Sequence, residues 1–196
     1  RAWQTKFRAI PKNIALVEEP QWRRDLDAGV YDVAIAHNEM NAANIFGAPV
    51  PCILVCHNRR TFLETTVSGD KEQGKQTYEK LLTRLREEFT FVFISESKRN
   101  DYRLDGAVIP PGIDVEEYGG YRGDVREVLR VGNAMLSRNP MFDVDFQERV
   151  CEGIPNRVVG EDAAMPQARP SKSFEDLLEC YRGLRCLLHV TREAYE

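Results

Sequence analysis

The sequence predicts an α/β protein with parallel sheets, and two observations carry this prediction. Short apolar runs that are typical of buried strands alternate with helical patterns along the chain, which favours crossover units and a parallel sheet. Several of these runs also stop abruptly in polar residues: the run 33–36 ends at His37 and Asn38, and the run 53–56 ends at His57 and Asn58. Because ligands bind at the carboxyl ends of parallel strands, these polar pairs are candidate site residues.

The first half of the chain yields most of the predicted elements. The clearest helix carries an apolar stripe at i, i+3, i+4, i+7 and i+11, formed by Tyr78, Leu81, Leu82, Leu85 and Phe89. A run with apolar residues on both faces predicts a buried parallel strand over 52–56. The remaining predicted elements are a helix end over 2–10, strands over 14–17, 31–36, 91–94 and 107–109, and short helices over 21–28 and 40–46.

The pattern of strands and helices restarts after Pro110, Pro111 and Gly112, which predicts a domain boundary. We assign residues 1–114 to a first domain and 115–196 to a second. The second domain is predicted to contain strands over 128–131, 157–159 and 186–190 and a helix over 146–150. A further helix is predicted to open at Ser173, because Asp176 follows three residues later as in a capping box.

Composition excludes several classes of protein. The chain has 196 residues, 42% hydrophobic and 30% charged, with a net charge of -4, as is ordinary for a globular protein and gives no reason to expect nucleic acid. No apolar stretch approaches the length that crosses a bilayer. The five cysteines form no C-x-x-C pair, which favours reduced, buried packing residues in a cytoplasmic protein over a disulfide framework or a zinc site. The chain opens on Arg1, and we expect a fragment of a longer protein.

Three groups of residues are candidates for chemistry. His37 and His57 can transfer protons or bind hydroxyl groups near neutral pH, although each could also cap its strand end. Arg59 and Arg60 could bind a phosphate or a carboxylate, or lie in a solvated loop. Ser95 and Glu96 follow the strand 91–94, where ordinary helix-start residues are an equally good interpretation.

Metal and nucleotide motifs are scarce in the sequence. The D-x-D triplet at 143–145 resembles the metal site of some sugar transferases, but acidic residues are also usual at a helix start. Patterns of histidine and carboxylate spaced for a metal are absent from the sequence, as are glycine-rich phosphate loops and a nucleophile elbow. We therefore predict no metal and no cofactor.

The segment 108–114, Val-Ile-Pro-Pro-Gly-Ile-Asp, resembles the GT-B glycosyltransferases of family 4, as does the preceding Phe-Ile-Ser-Glu-Ser-Lys of 93–98. Weaker likenesses lie at 32–37, 54–58, 131–132 and 158–161, in the same order as in that family. The resemblance implies Rossmann-like parallel sheets in two domains, with the first strand of the first domain missing here and the second domain incomplete. It covers roughly residues 31–196.

The resemblance implies a retaining, metal-independent transfer of a sugar from a nucleotide-diphosphate donor to a carbohydrate or other hydroxyl acceptor. The first domain would bind the acceptor, the second would bind the donor, and the cleft between them would host the reaction. His57 would be the catalytic residue near the transferred sugar. Acceptor-side or cleft residues would be His37, Asn38, Asn58, Arg59, Ser95, Glu96 and Gly112; donor-binding residues would be Gly132, Asn133, Arg138, Glu161, Glu193 and Glu196.

The chain departs from the family pattern at two points. Asn133 stands where the family carries an arginine on the diphosphate, and Arg138 is a candidate replacement for that charge. The family's pair of acids, with seven other residues between them, would begin near Glu193 or Glu196, and its second member is not visible in the sequence. The chain as given is therefore expected to be inactive.

The sequence leaves two other functions open: a sugar-nucleotide epimerase of the related two-domain fold, and a non-catalytic sugar- or nucleotide-binding domain. Peripheral attachment to a membrane also remains compatible with the sequence.

Overall fold

The chain folds into two compact units in a computed structural model that describes residues 10–66 and 71–191. The first unit comprises residues 16–111, and the second comprises residues 112–191 together with the segment 10–15. Each unit is α/β and is built on its own parallel sheet, which agrees with the predicted fold class. The sequence places the boundary after residue 114, whereas the compact units divide after residue 111.

The first unit contains a four-stranded sheet in the order β1-β2-β3-β4, with every neighbouring pair parallel. In register, Ala36 lies opposite Leu54, and Leu54 lies opposite Phe91. The elements of this unit are α1 (Glu19–Asp27), β1 (Ala34–Ala36), α2 (Glu39–Ala43), β2 (Cys52–Cys56), α3 (Arg60–Thr66), α4 (Lys71–Glu88), β3 (Phe89–Phe93), α5 (Glu96–Tyr102) and β4 (Ala107–Val108).

The core of the first unit lies on one face of its sheet. The strands follow one another in space in chain order, so right-handed crossovers place the connecting helices on the same side. The strand residues that are buried against this helical layer include Leu54, Cys56, Phe91 and Phe93. Side chains on the other face are less covered, and Ile35 remains 53% exposed.

The 18-residue α4 supplies much of that helical layer. Tyr78, Leu82 and Leu85 of the predicted stripe are at most 1% exposed and belong to the core, while charged residues cover the opposite side of the helix. This amphipathic pattern is that of a helix on a globular surface. Within the described parts of the chain, no helix combines the length and the apolarity needed to cross a membrane.

The second unit contains a three-stranded parallel sheet with β5 at its centre, in the order β6-β5-β7. Since β6 and β7 lie on opposite sides of β5, right-handed crossovers place the helices between β5 and β6 on one face of the sheet and the helix between β6 and β7 on the other. Val158 packs with Val144 on one face, while Leu129 and Val159 pack with Cys180 on the other. The elements are α6 (Val115–Tyr118), β5 (Val125–Val131), α7 (Asn139–Phe142), α8 (Val144–Cys151), β6 (Asn156–Val159), α9 (Phe174–Gly183) and β7 (Leu184–Leu187).

Three local predictions were wrong. The run 14–17 forms no strand, because its apolar residues are 40–52% exposed and no neighbouring strand pairs with it. Phe89 lies outside α4 and opens β3 opposite Cys52, since the helix ends at Glu88 with no intervening loop. Cys186 is exposed, because it lies on the edge strand β7. The predicted helix end over 2–10 lies, except for residue 10, outside the described residues.

Candidate functional site

His37 and His57 meet at the carboxyl edge of the first sheet. His37 follows β1 and His57 follows the neighbouring β2, and Nδ1 of His37 lies 3.2 Å from Nε2 of His57. The ring centroids are 5.4 Å apart with the ring planes inclined by 28°, so the two imidazoles lie nearly end to end. This arrangement is that of one ring donating an N–H to the other. The sequence prediction that both histidines lie at one edge of the sheet agrees with this geometry.

The environment of His57 favours its neutral form. Partial desolvation of the ring lowers the pKa of His57, and positive charge on His37 and Lys98 lowers it further. The carboxylate of Glu39 acts in the opposite direction but does not prevail. A neutral imidazole can accept a proton from a hydroxyl group or donate a hydrogen bond to one.

A buried polar cluster lies beneath this edge, and the sequence did not single it out. Glu39, only 7% exposed, accepts hydrogen bonds from the hydroxyls of Tyr102 at 2.6 Å and Tyr78 at 3.2 Å. Burial raises the pKa of both tyrosines, so they act as donors to the carboxylate. Burial and the charge of Glu39 also raise the pKa of the Cys56 thiol, to about 12, so this thiol stays protonated. The signal available in the sequence was Glu39 itself, directly after His37 and Asn38.

The two asparagines that follow these histidines differ in their surroundings. The side chain of Asn38 accepts a hydrogen bond of 2.8 Å from the backbone N–H of Asn41 and thereby caps α2. Asn58 is half-buried in the short connection between β2 and α3. Asn38 therefore helps to fix the position of His37, while the role of Asn58 as a ligand contact stays a prediction.

Ser95 and Glu96 have the structural roles that the sequence gave as their alternative. Ser95 caps α5, since its hydroxyl accepts a hydrogen bond from the N–H of Lys98 at 3.3 Å. Glu96 forms an ion pair of 2.6 Å with Arg99 in the first turn of the same helix. Gly112 is exposed, and a Cβ atom built on it would contact nothing within 4 Å.

A pocket of about 210 Å³ lies at the carboxyl ends of β5 and β6. The chain leaves β5 toward one face of the sheet and leaves β6 toward the other, which opens a crevice between their ends, as in other open α/β sheets. Three of the predicted donor-binding residues, Gly132, Asn133 and Glu161, line this pocket. The other lining residues are Val131, Val159, Gly160, Pro170, Ser171 and Leu177.

Close approach of the two strand ends shapes the pocket. Gly160 has φ +152°, and a Cβ atom there would lie 1.9 Å from the carbonyl oxygen of Gly132. No side chain fits at that distance, so only glycine allows this geometry. The side chain of Asn133 then accepts a hydrogen bond of 2.8 Å from the N–H of Glu161 and joins the two loops.

The lining of the pocket is largely apolar, with one buried hydroxyl group. The Ser171 Oγ is enclosed and has no hydrogen-bond partner within residues 10–66 and 71–191. A buried hydroxyl without a partner is unfavourable, and one in a pocket is suited to a ligand that completes its hydrogen bonds. The sequence did not identify Ser171, because no motif surrounds it.

Of the other predicted donor residues, the structure describes only Arg138, which lies outside the pocket. Arg138 is exposed at the start of α7, where its guanidinium covers the ring of Phe142 at 4.8 Å, and it is not among the residues that line the pocket. Glu193 and Glu196 lie outside the described residues. In the D-x-D triplet, the Asp143 carboxylate caps α8, and Asp145 accepts a hydrogen bond from Asn139.

A metal site is not evident in what the structure describes: no three histidine, cysteine or carboxylate side chains group together over 10–66 and 71–191. Comparison of the chain with protein-family models and with curated proteins found no match.

Proposed function

We propose that the chain belongs to a retaining glycosyltransferase of GT-B type that takes a nucleotide-diphosphate sugar as donor and a hydroxyl compound as acceptor. The observation that carries this proposal is the pocket at the carboxyl ends of β5 and β6, lined by Gly132, Asn133, Glu161 and the unpaired Ser171 hydroxyl. The resemblance of the segment 108–114 to the family points to the same donor.

The pocket has features that suit part of a nucleotide. Its walls include Val131, Val159 and Leu177, which can cover the flat face of an uncharged ring. Asn133 and Ser171 add a small number of polar groups that could fix the orientation of such a ring. The backbone around Gly160 can approach a ligand closely, because no side chain intervenes.

The first unit supports the acceptor side of the proposal. The pair of His37 and His57 presents one free ring nitrogen from each imidazole at the carboxyl edge of the sheet, since the other two nitrogens face each other. One ring can therefore give up a proton while the other takes one. This property suits contact with a sugar hydroxyl group, and the lowered pKa of His57 keeps the pair able to accept a proton near neutral pH.

Nucleotide binding to the full chain tests the donor half of the proposal. Calorimetric titration with uridine, guanosine and adenosine diphosphates is expected to show saturable binding of at least one of them. Ser171→Ala is expected to weaken that binding by about tenfold, because the hydrogen bond to a buried hydroxyl is lost. Ser137→Ala is the matched control, since the Ser137 hydroxyl donates to the Ala134 carbonyl and does not line the pocket.

Turnover distinguishes the proposed activity from its alternatives. Release of nucleoside diphosphate that requires an added acceptor, with the sugar recovered on that acceptor, supports a transferase, and His57→Ala should then abolish most of the rate. Conversion of the donor alone would indicate an epimerase. Binding without turnover in the full-length protein would indicate a non-catalytic module, and unchanged transfer by His57→Ala would remove the proposed role of this residue.

A further inference from the structure

Arg59 is held in place at the carboxyl edge of the first sheet, yet its charge is not neutralised there. One terminal nitrogen, Nη2, donates to the Ser97 hydroxyl at 3.2 Å, which ties the loop after β2 to α5. Its Nε is enclosed and has no acceptor among residues 10–66 and 71–191. An enclosed guanidinium N–H without a partner is rare in folded proteins, and a bound water or ion is one of its explanations.

Other nitrogen-bearing side chains lie at the same edge. Lys98 is adjacent to Ser97 on α5, which begins shortly after β3 ends at the same edge of the sheet. Its charge also lowers the pKa of His57. Over the described ranges, neither Arg59 nor Lys98 has a carboxylate within ion-pair distance. Ser97 accepts from Arg59 through its oxygen, and its own O–H is left to donate.

The acidic side chains on the neighbouring elements are already engaged. Glu39 is buried and takes the hydroxyls of two tyrosines, and Glu96 pairs with Arg99. Asp101 accepts from the backbone and hydroxyl of Thr61. Within the part of the chain that the structure describes, Arg59 and Lys98 therefore have no carboxylate counterion.

We infer that Arg59, Ser97, Lys98 and the His37–His57 pair form a binding site for a phosphate monoester. A guanidinium and an ammonium supply two positive charges, which match a phosphate dianion, and arginine binds phosphate oxygens with well-directed hydrogen bonds. The site deepens the proposed function, since it lies on the predicted acceptor side: the acceptor would carry a phosphate group beside its hydroxyl. The identification of the ligand as the acceptor rests on the proposed function, whereas binding of an anion at this site does not.

Arg60 provides a matched control on the same loop. Its guanidinium is paired with Glu64 and Glu79, so its charge is neutralised within the protein. Removal of this charge should therefore leave the phosphate site intact. The comparison of Arg59 with Arg60 separates a specific site from a general effect of net charge.

The experiment follows the imidazole resonances of the isotope-labelled full chain by NMR during titration with inorganic phosphate, at about pH 7.5 where phosphate is largely a dianion. Saturable shifts of the His57 resonances are expected, together with an increase in the pKa of His57, because a bound anion favours the imidazolium. Arg59→Gln and Lys98→Gln should each weaken binding by about tenfold, whereas Arg60→Gln should not.

The same titration is repeated with two further ligands, a hexose monophosphate and acetate. Tighter binding of the hexose monophosphate than of inorganic phosphate supports a phosphorylated acceptor, and equal saturation by acetate would replace the phosphate assignment with a carboxylate site. Absence of saturable shifts in the wild-type chain, or identical affinities in Arg59→Gln and Arg60→Gln, would overturn the proposal. These outcomes are independent of nucleotide binding in the second unit, because the readout is His57 and Ser171→Ala should not change it.

Discussion

The two sheets present different chemistry at the same topological position. At the carboxyl edge of the first sheet, the polar groups are side-chain nitrogens of His37, His57 and Arg59. At the carboxyl edge of the second sheet, the strand ends approach so closely at Gly160 that the backbone itself forms much of the wall. The first edge presents ionisable side chains, and the second is enclosed by backbone.

This difference determines which changes each edge tolerates. Charged side chains at a solvent-facing edge respond to pH and salt, since their interactions depend on protonation and screening. A wall formed by closely spaced backbone is disrupted by added side-chain atoms, because a close-packed interior has no space for them. Variants that change one edge at a time test this difference, and their expected effects decrease from Gly160→Ala to His57→Gln.

The largest effect is expected from Gly160→Ala. The added Cβ would lie 1.9 Å from the Gly132 carbonyl oxygen, so β5 and β6 would have to separate, and φ +152° is also unfavourable for alanine. We expect the free energy of unfolding, measured by urea denaturation, to fall by about 3 kcal/mol or more. Gly153→Ala is the control, because its positive φ is similar in kind but its Cβ meets nothing within 4 Å. Equal losses for both variants would contradict the proposed close approach.

Substitution of the two tyrosines that donate to Glu39 tests the buried polar cluster of the first unit. Tyr102→Phe removes a hydrogen bond of 2.6 Å to a buried carboxylate and should lower the free energy of unfolding by about 1.5–3 kcal/mol. Tyr78→Phe removes a longer bond of 3.2 Å and should cost less. The same denaturation measurement gives both values, and a larger loss for Tyr78→Phe would reverse this assignment.

A smaller effect is expected at the loop contact of the second edge. Asn133→Ala removes the acceptor of the Glu161 N–H and should lower the free energy of unfolding by about 1 kcal/mol. Asn133→Asp keeps an oxygen at the same position and serves as the control. If the alanine variant is as stable as the wild type, the contact contributes nothing to the second edge.

The smallest effect is a pH dependence at the first edge. The pKa of His57 is lower in the folded chain than the unfolded value of about 6.5, so the unfolded state takes up the proton first as the pH falls. Stability that is present above about pH 6.5 is therefore lost as the pH decreases toward the folded pKa. Denaturation at several pH values should show a weaker decline in His57→Gln than in the wild type.

The sequence predicted the positions of both edges because strand ends are local features. An apolar run followed by His37 or His57 is visible within six residues, and parallel pairing of neighbouring strands then brings the two rings together. Gly132 and Asn133 directly follow the predicted strand 128–131, and the resemblance to the family named them as donor-binding residues. Phe89 was misassigned because its position fits both the helical stripe and the strand that follows directly.

The groups that complete each edge depend on contacts distant in sequence. Glu39 meets Tyr78 and Tyr102 from two other helices, and nothing in the chain around any of the three signals that they share hydrogen bonds. Ser171 lies in an irregular segment whose course is set by packing rather than by periodicity. The orientation of Arg138 over the ring of Phe142 also depends on tertiary packing.

Mapping of nucleotide binding on the chain shows whether the crevice between β5 and β6 is the donor site. Backbone amide shifts of the full chain would be followed during titration with the nucleoside diphosphate that binds most tightly. Saturable shifts are expected at 131–133, 159–161 and 170–171, with weaker binding in Ser171→Ala. Shifts confined to the surroundings of His37 and His57, or no saturable shift with any of the nucleotides, would contradict the assignment of the crevice between β5 and β6 as a nucleotide-sugar site.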